Sequence, residues 1–173
     1  MVQMGQKWPE VDEAGKILSS LPPEAPRGAL GGRVDEKGRL KLPAAIVQYL
    51  EALGERKVFI TTLDTSTALI YPISVWRQTE SMLQEPGEDA DIRADVAFVA
   101  NHYGEDTEVD GQGRVLLPTT LRRDLELEKD DVHLLCYKQR IEIFGSKIYA
   151  ERLSAAKSDL AGKVSALAKK GLR

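Results

Sequence analysis

The feature that most constrains this chain is a phrase it states twice. Val34-Asp35-Glu36-Lys37-Gly38-Arg39-Leu40-Lys41-Leu42-Pro43 returns 75 residues on as Val109-Asp110-Gly111-Gln112-Gly113-Arg114-Val115-Leu116-Leu117-Pro118, with Val, Asp, Gly, Arg, Leu and Pro held in common. An internal repeat sets the folding unit before any local propensity is weighed. In each copy Val-Asp-x-x-Gly-Arg reads as a strand entering a tight turn. The carboxylates of Asp35 and Asp110 are placed to accept backbone N–H groups a few residues on. Gly38 and Gly113 supply a backbone conformation that a side chain resists. Extended runs follow, Arg39-Leu40-Lys41-Leu42 and Arg114-Val115-Leu116-Leu117, alternating in the first copy and almost wholly apolar in the second. Pro43 and Pro118 then suit the first turn of a short helix, where a missing N–H costs nothing.

Ile46, Val47, Leu50 and Leu53 give the first of these helices an apolar face, and Leu121 and Leu125 do the same for the second. Two strand pairs come next, over 57–62 with 67–71 and over 131–137 with 140–144, so that Ile70 matches Ile143, Tyr71 matches Phe144 and Trp76 matches Tyr149. Each half reads as strand, turn, strand, short helix, strand, hairpin, strand, which is an α+β unit. At roughly 45 residues such a unit buries too little to stand alone, so two copies are expected to close one shared core. A purely structural duplication, each Arg merely paired to its neighbouring Asp, leaves unexplained why a cation sits on the turn in both copies.

Paired Asp-x-x-Gly-Arg phrases, each leading to Leu-Pro and a short helix, with Ile70-Tyr71-Pro72 and Trp76 closing one half and Ile141-Glu142-Ile143-Phe144 the other, resemble the MraZ family. The likeness runs over residues 28–150. It implies a pseudo-two-fold double swapped-hairpin β-barrel of the SpoVT/AbrB type, with connecting and C-terminal helices. The corresponding division is an N-terminal arm (1–28), a first half (29–77), a helical connector (78–104), a second half (105–149) and a C-terminal amphipathic helix (150–173). The resemblance also implies a transcriptional regulator of the bacterial division and cell-wall gene cluster, assembled as a ring-shaped homo-oligomer on direct repeats of promoter double-stranded DNA at the nucleoid. The family's motif arginine carries over to Arg39 and Arg114, with Lys37, Lys41, Arg33 and Arg122 as further DNA contacts. Ala45 and Val47 stand where family members carry basic residues. That departure motivates a second reading, a protein-interaction scaffold or antitoxin-like module on the same fold with redirected DNA contact.

A length of 173 residues with 42% hydrophobic and 29% charged content suits one compact domain with appendages. No apolar run reaches membrane-spanning length and no signal-peptide core follows Met1, so the expected address is the cytoplasm, with no membrane partner. The single cysteine, Cys136, offers no internal disulfide and fits a reducing compartment. An enzyme is not expected. His133 and Cys136 are three apart, on opposite faces of a strand, and His102 has no evident companion. The Gly111-Gln112-Gly113 run leads to a strand rather than a helix and is not a nucleotide fingerprint. Hence no catalytic residue, metal, cofactor or small-molecule substrate is assigned.

A net charge of −3 and a pI near 5.5 argue against a nucleic-acid partner. Distribution answers the objection. Residues 31–41 hold four cations (Arg33, Lys37, Arg39, Lys41) against Asp35 and Glu36, a local excess of two. One subunit reaches few phosphates and should bind weakly and with steep salt dependence, while several subunits on tandem sites multiply the effect. An Arg on a rigid turn can also grip guanine with two hydrogen bonds, which Lys cannot match.

Flanking segments are expected to be helical. Ser74 is a candidate cap for a helix reaching Leu83, residues 84–88 break it, and 90–103 forms another with Ile92, Val96, Val99 and Tyr103 along one side. From Ser146 a single amphipathic helix is expected, with Tyr149, Leu153, Ala156, Leu160, Val164 and Leu167 as its stripe. Residues 151–173 hold six cations against two carboxylates, a pattern suited to the helix dipole or, less simply, to nearby DNA. The proline-rich arm is expected to be mobile or partly helical, with Trp8, Val11, Ile17, Leu18 and Leu21 able to dock on a neighbouring surface.

Overall fold

The computed structural model describes residues 10–11, 17–18, 22–128 and 130–173. Within the arm, β1 (Glu10–Val11) and β2 (Ile17–Leu18) pair antiparallel; the expected docking of Trp8 and Leu21 lies outside the described residues. The first copy contains β3 (Leu30–Arg33), β4 (Arg39–Lys41), α1 (Ala44–Ala52), β5 (Lys57–Thr61) and β6 (Ala68–Pro72). Then come α2 (Ile73–Leu83) and α3 (Ala90–Tyr103). The second copy repeats the order with β7 (Glu105–Glu108), β8 (Arg114–Leu116), α4 (Thr119–Asp124), β9 (Asp131–Tyr137) and β10 (Arg140–Gly145), followed by α5 (Ser146–Lys157) and α6 (Leu160–Ala168). The fold is α+β, as the repeat predicts.

Strand pairing explains why the phrase occurs twice. One antiparallel sheet has the order β3-β9-β10-β6-β5-β7. Its outer strands are exchanged: β3 of the first copy lies on β9 of the second, Gly32 opposite Val132, and β7 of the second lies on β5 of the first, Val58 opposite Thr107. The copies meet at the centre, where Ile70 faces Ile141. Neither half can complete its sheet without the other. Alternation then sends Val58, Ile60, Ala68, Ile70, Val132, Leu134, Ile141 and Ile143 to one face, where they bury with Leu40, Leu42, Ile46, Leu50, Val115, Leu117 and Leu121.

A closed barrel is not found among the described strands. β4 and β8 form a separate two-stranded ribbon, and each is three residues long because Leu42-Pro43 and Leu117-Pro118 end it. Proline lacks the N–H that a longer ladder would use.

The other sheet face is covered in the first half by α2 and α3, through a cluster of Phe59, Leu69, Tyr71, Trp76 and Ala100. Phe59 and Trp76 stack with ring centroids 4.2 Å apart. Three expectations for the helices need correction. Ser74 is not the cap of α2; its own N–H donates to Glu55 Oε1 at 2.9 Å, so a carboxylate from the α1–β5 loop satisfies an N–H of the first turn. On α3 the buried contact is Ala100, the small residue that lets the helix approach Phe59, while Ile92 is 64% exposed. The final helix is two helices: Ser158 is extended and Asp159 takes φ 47, a left-handed conformation that Asp tolerates better than most residues. Leu153, Leu160, Val164 and Leu167 are exposed. Among the described residues no helix is long and apolar enough to cross a membrane.

Because the sheet interleaves both copies, a cavity on one side should weaken both. Leu40 is fully buried and stands opposite Val115 across the ribbon. Leu40→Ala is expected to lower stability by about 2–5 kcal/mol, read as a lower urea midpoint with one cooperative transition. Two separated transitions would contradict the shared core.

Candidate nucleic-acid interface

Each repeat folds into the same turn. Asp35 N–H donates to Arg39 O at 2.8 Å and Gly38 N–H to Asp35 O at 3.0 Å; the second copy matches at 2.9 Å from Asp110 to Arg114 and 3.0 Å from Gly113 to Asp110. Gly38 and Gly113 take φ 79 and 72, which an L side chain resists. The carboxylate does the rest. Asp35 Oδ1 accepts the Lys37 and Arg39 N–H groups, each at 2.9 Å, and Oδ2 accepts Arg39 Nε at 2.8 Å. Asp110 repeats the pattern with Gln112 N–H, Arg114 N–H and Arg114 Nε, all at 2.9 Å. The Asp expected to shape the turn therefore also orients the Arg side chain.

The turns are tied to each other across the pseudo-two-fold. Leu42 N–H donates to Gly113 O and Leu117 N–H to Gly38 O, both at 2.9 Å. Between them the ribbon pairs Arg39 with Leu116, Leu40 with Val115 and Lys41 with Arg114. Facing residues of a sheet share a side and successive residues alternate. Leu40 and Val115 thus point to the core, and Arg39, Lys41, Arg114 and Leu116 share the outward face. Arg39 and Arg114 are partly exposed, at 32% and 28% of their side chains. Only Nε of each is engaged, and the terminal guanidinium nitrogens have no hydrogen-bond partner among the described residues.

The remaining candidates divide. Lys37 is exposed at the tip of the first turn. Lys41 lies on the outward face and its ammonium donates to Gln112 O on the opposite turn. Arg33 sits on β3, ion-paired with Asp131 at 3.4 Å, and lines an open groove with Lys41, Pro43 and His133. Arg122 is placed differently. Its side chain is only 16% exposed, with Nη1 donating to Leu117 O at 2.8 Å and Nε to Glu128 Oε1 at 3.2 Å. The guanidinium packs under Gly38, where a Cβ would collide with it. Val47, at the matching place in the first copy, packs under Gly113 in the same way. This pair of positions props up the turn of the other copy.

Leu116 is not among the sequence-predicted site residues, since its run Arg114-Val115-Leu116-Leu117 is almost wholly apolar, yet it is 48% exposed. Its strand register, paired with that of Lys41 75 residues earlier, was the available signal. The edge strands also differ in charge. At equivalent positions the first copy places Arg33 opposite Asp131 and the second places Glu108 opposite Lys57. No cluster of three or more metal-ligating side chains occurs among the described residues. His133 stacks on Tyr149, centroids 3.8 Å apart.

Backbone hydrogen bonds, first from Arg39 to Asp35 and from Arg114 to Asp110, with help from the guanidinium, hold both carboxyls below the usual carboxylate range. A carboxylate with a depressed folded-state pKa contributes stability above its unfolded value, about 3.9, and that contribution is lost as pH falls through the folded value. Acid should therefore loosen the turns. Melts taken from neutral pH down through the carboxylate range should fall less steeply for Asp35→Asn/Asp110→Asn than for the unsubstituted protein; parallel curves would remove the two carboxylates from the acid response.

A family model described as "MraZ protein, putative antitoxin-like" matches residues 104–169. The chain is similar to the transcriptional regulator MraZ of Acidobacterium capsulatum, 36% identical over 125 residues that cover 72% of this chain and 79% of that protein. It is similar also to that of Koribacter versatilis, 30% identical over 131 residues covering 75% and 88%. Against that of Desulfitobacterium hafniense strain Y51, identity is 35% over 140 residues covering 80% and 94%. With such coverage on top of the duplicated Asp-x-x-Gly-Arg turn, the chain belongs to the MraZ family.

Proposed function

We propose that this protein is a sequence-specific DNA-binding transcriptional regulator that presents the β4–β8 ribbon to the major groove. One observation carries the reading: two arginines from distant parts of the chain share the outward face of one ribbon, each aimed by its own aspartate. With Nε occupied, the two terminal nitrogens remain to donate side by side to guanine O6 and N7. A two-stranded ribbon is also an element the major groove admits. The relatives are named as transcriptional regulators. Lys37 and Lys41 act as phosphate contacts, and Arg33 adds charge at the side of the ribbon. Arg122 supports the first turn from beneath.

The exchange of β3 and β7 between copies supports reading residues 29–77 and 105–149 as two SpoVT/AbrB-type swapped-hairpin halves, with 78–104 as connector. One ribbon offers few phosphate contacts, so useful affinity comes from several subunits on tandem repeats, as in a ring at the promoter of the division and cell-wall cluster. Phe98, 76% exposed on α3, together with Ile92 and the uncovered stripe of α5 and α6, supplies apolar surface for subunit contacts. The acidic edge strand β7, with Glu105, Asp106 and Glu108, disfavours DNA there and confines contact to the ribbon. The scaffold or antitoxin-like reading draws support from an apolar groove between the sheet and α5, lined by Leu69, Leu135, Phe144, Tyr149 and Leu153.

The test is binding to duplexes carrying one, two and three repeats from the upstream region of its own gene, followed by fluorescence anisotropy across a salt series. Arg39→Ala is expected to lose about 1–3 kcal/mol per site, roughly fivefold to 150-fold, with oligomer size unchanged, and Arg39→Lys to recover only part. Affinity should rise steeply with repeat number and fall with salt. Undiminished binding by Arg39→Ala would remove the ribbon from the interface. Salt-independent capture of one stoichiometric protein partner, with no DNA retained, would favour the scaffold.

A further inference from the structure

The outward face of the ribbon carries one side chain that phosphate binding has no use for. Leu116 is 48% exposed, directly across from Arg39, at the place where the first copy has Lys41. Its strand neighbours Val115 and Leu117 are buried, so the exposure belongs to this position and not to a frayed strand. The two ends of the ribbon are consequently unlike: Arg39 beside Leu116 at one, Arg114 beside Lys41 at the other.

DNA offers an apolar group on its base edges at one place, the C5 methyl of thymine in the major groove. Side chains two apart on a strand are about 7 Å apart and cross-strand neighbours about 5 Å, so all four outward residues fit a groove about 12 Å wide. A ribbon seated so that Arg39 reaches base edges brings Leu116 to the same floor. We propose that Leu116 is a specificity contact that packs against a thymine methyl, giving the Arg39 end of the ribbon an apolar base reading that the Lys41 end lacks. This rests on the reading that the ribbon enters DNA.

The probe is the tandem-repeat duplex made twice, once with thymidine and once with deoxyuridine throughout, which removes every C5 methyl and leaves base pairing intact. The unsubstituted protein should bind the uracil duplex more weakly, by about fourfold for each methyl it buries. Leu116→Ala should bind the thymine duplex more weakly and no longer distinguish the two. Leu116→Lys, which copies the first ribbon strand, should bind DNA through charge yet also fail to distinguish them, and it guards against a folding defect in the alanine variant. Thermal midpoints and oligomer sizes are compared alongside. Equal binding of both duplexes by the unsubstituted protein overturns the proposal while leaving DNA binding intact. Discrimination retained by either variant overturns it too, since the methyl would then be read elsewhere. Failure of the unsubstituted protein to bind even the thymine duplex overturns the DNA reading itself, and this proposal with it.

Discussion

Two carboxylates, Asp35 and Asp110, underlie everything on the outward face. Each takes two backbone N–H groups on one oxygen and an arginine Nε on the other. The first set of bonds closes a turn that would otherwise leave polar groups unsatisfied; the second removes rotamers from a long side chain that would otherwise lose them on binding. The plain reading of the repeat, Arg paired to its neighbouring Asp, is thus true of the geometry. It does not exhaust the arginine, because Nε is the one nitrogen the pairing uses. An exposed ion pair alone contributes little to stability, so the pairing is better understood as aiming a guanidinium than as holding a fold together.

What holds the fold together is the interleaving of the copies. Exchange of β3 and β7 places non-local strand pairs at both edges of the sheet, and the Leu42–Gly113 and Leu117–Gly38 hydrogen bonds lock the turns across the same axis. The buried aliphatic residues of both halves then form one cluster. Side-chain symmetry is kept in the core and broken where the copies meet solvent: Lys41 and Leu116, and the charge-reversed pairs Arg33–Asp131 and Glu108–Lys57, occupy matching places with different chemistry. It is broken also beneath the turns, where Val47 and Arg122 occupy matching places against Gly113 and Gly38. These differences leave the two ends of the ribbon free to do different work.

The helices around this body show where periodicity is a weaker guide. The stripe from Tyr149 to Leu167 is genuine in the sequence, yet the chain breaks at Ser158-Asp159, because neither residue favours a helix interior and the stripe around the break, with Leu153, Leu160, Val164 and Leu167 exposed, lacks the burial that would override them. On α3 the apolar spacing pointed to Ile92, but close approach to the Phe59 and Trp76 rings selects a small side chain, Ala100. Ser74 was a sound local candidate for a cap. A glutamate nineteen residues earlier reached the helix end instead, a contact no local rule anticipates.

Sequence alone determined the two turns, the succession of elements along each half and the α+β class, because these follow from local patterns of residues along the chain. The shared core was legible as well, since half the chain has too little apolar surface to bury alone. Only the tertiary structure decided that both arginines fall on one face of one ribbon, that Arg122 turns inward beneath Gly38, and that Leu116 is left facing out. Those outcomes depend on which strands meet across the pseudo-two-fold and in what register, and a one-residue slip of β4 against β8 would have changed which side chains face one another across the ribbon.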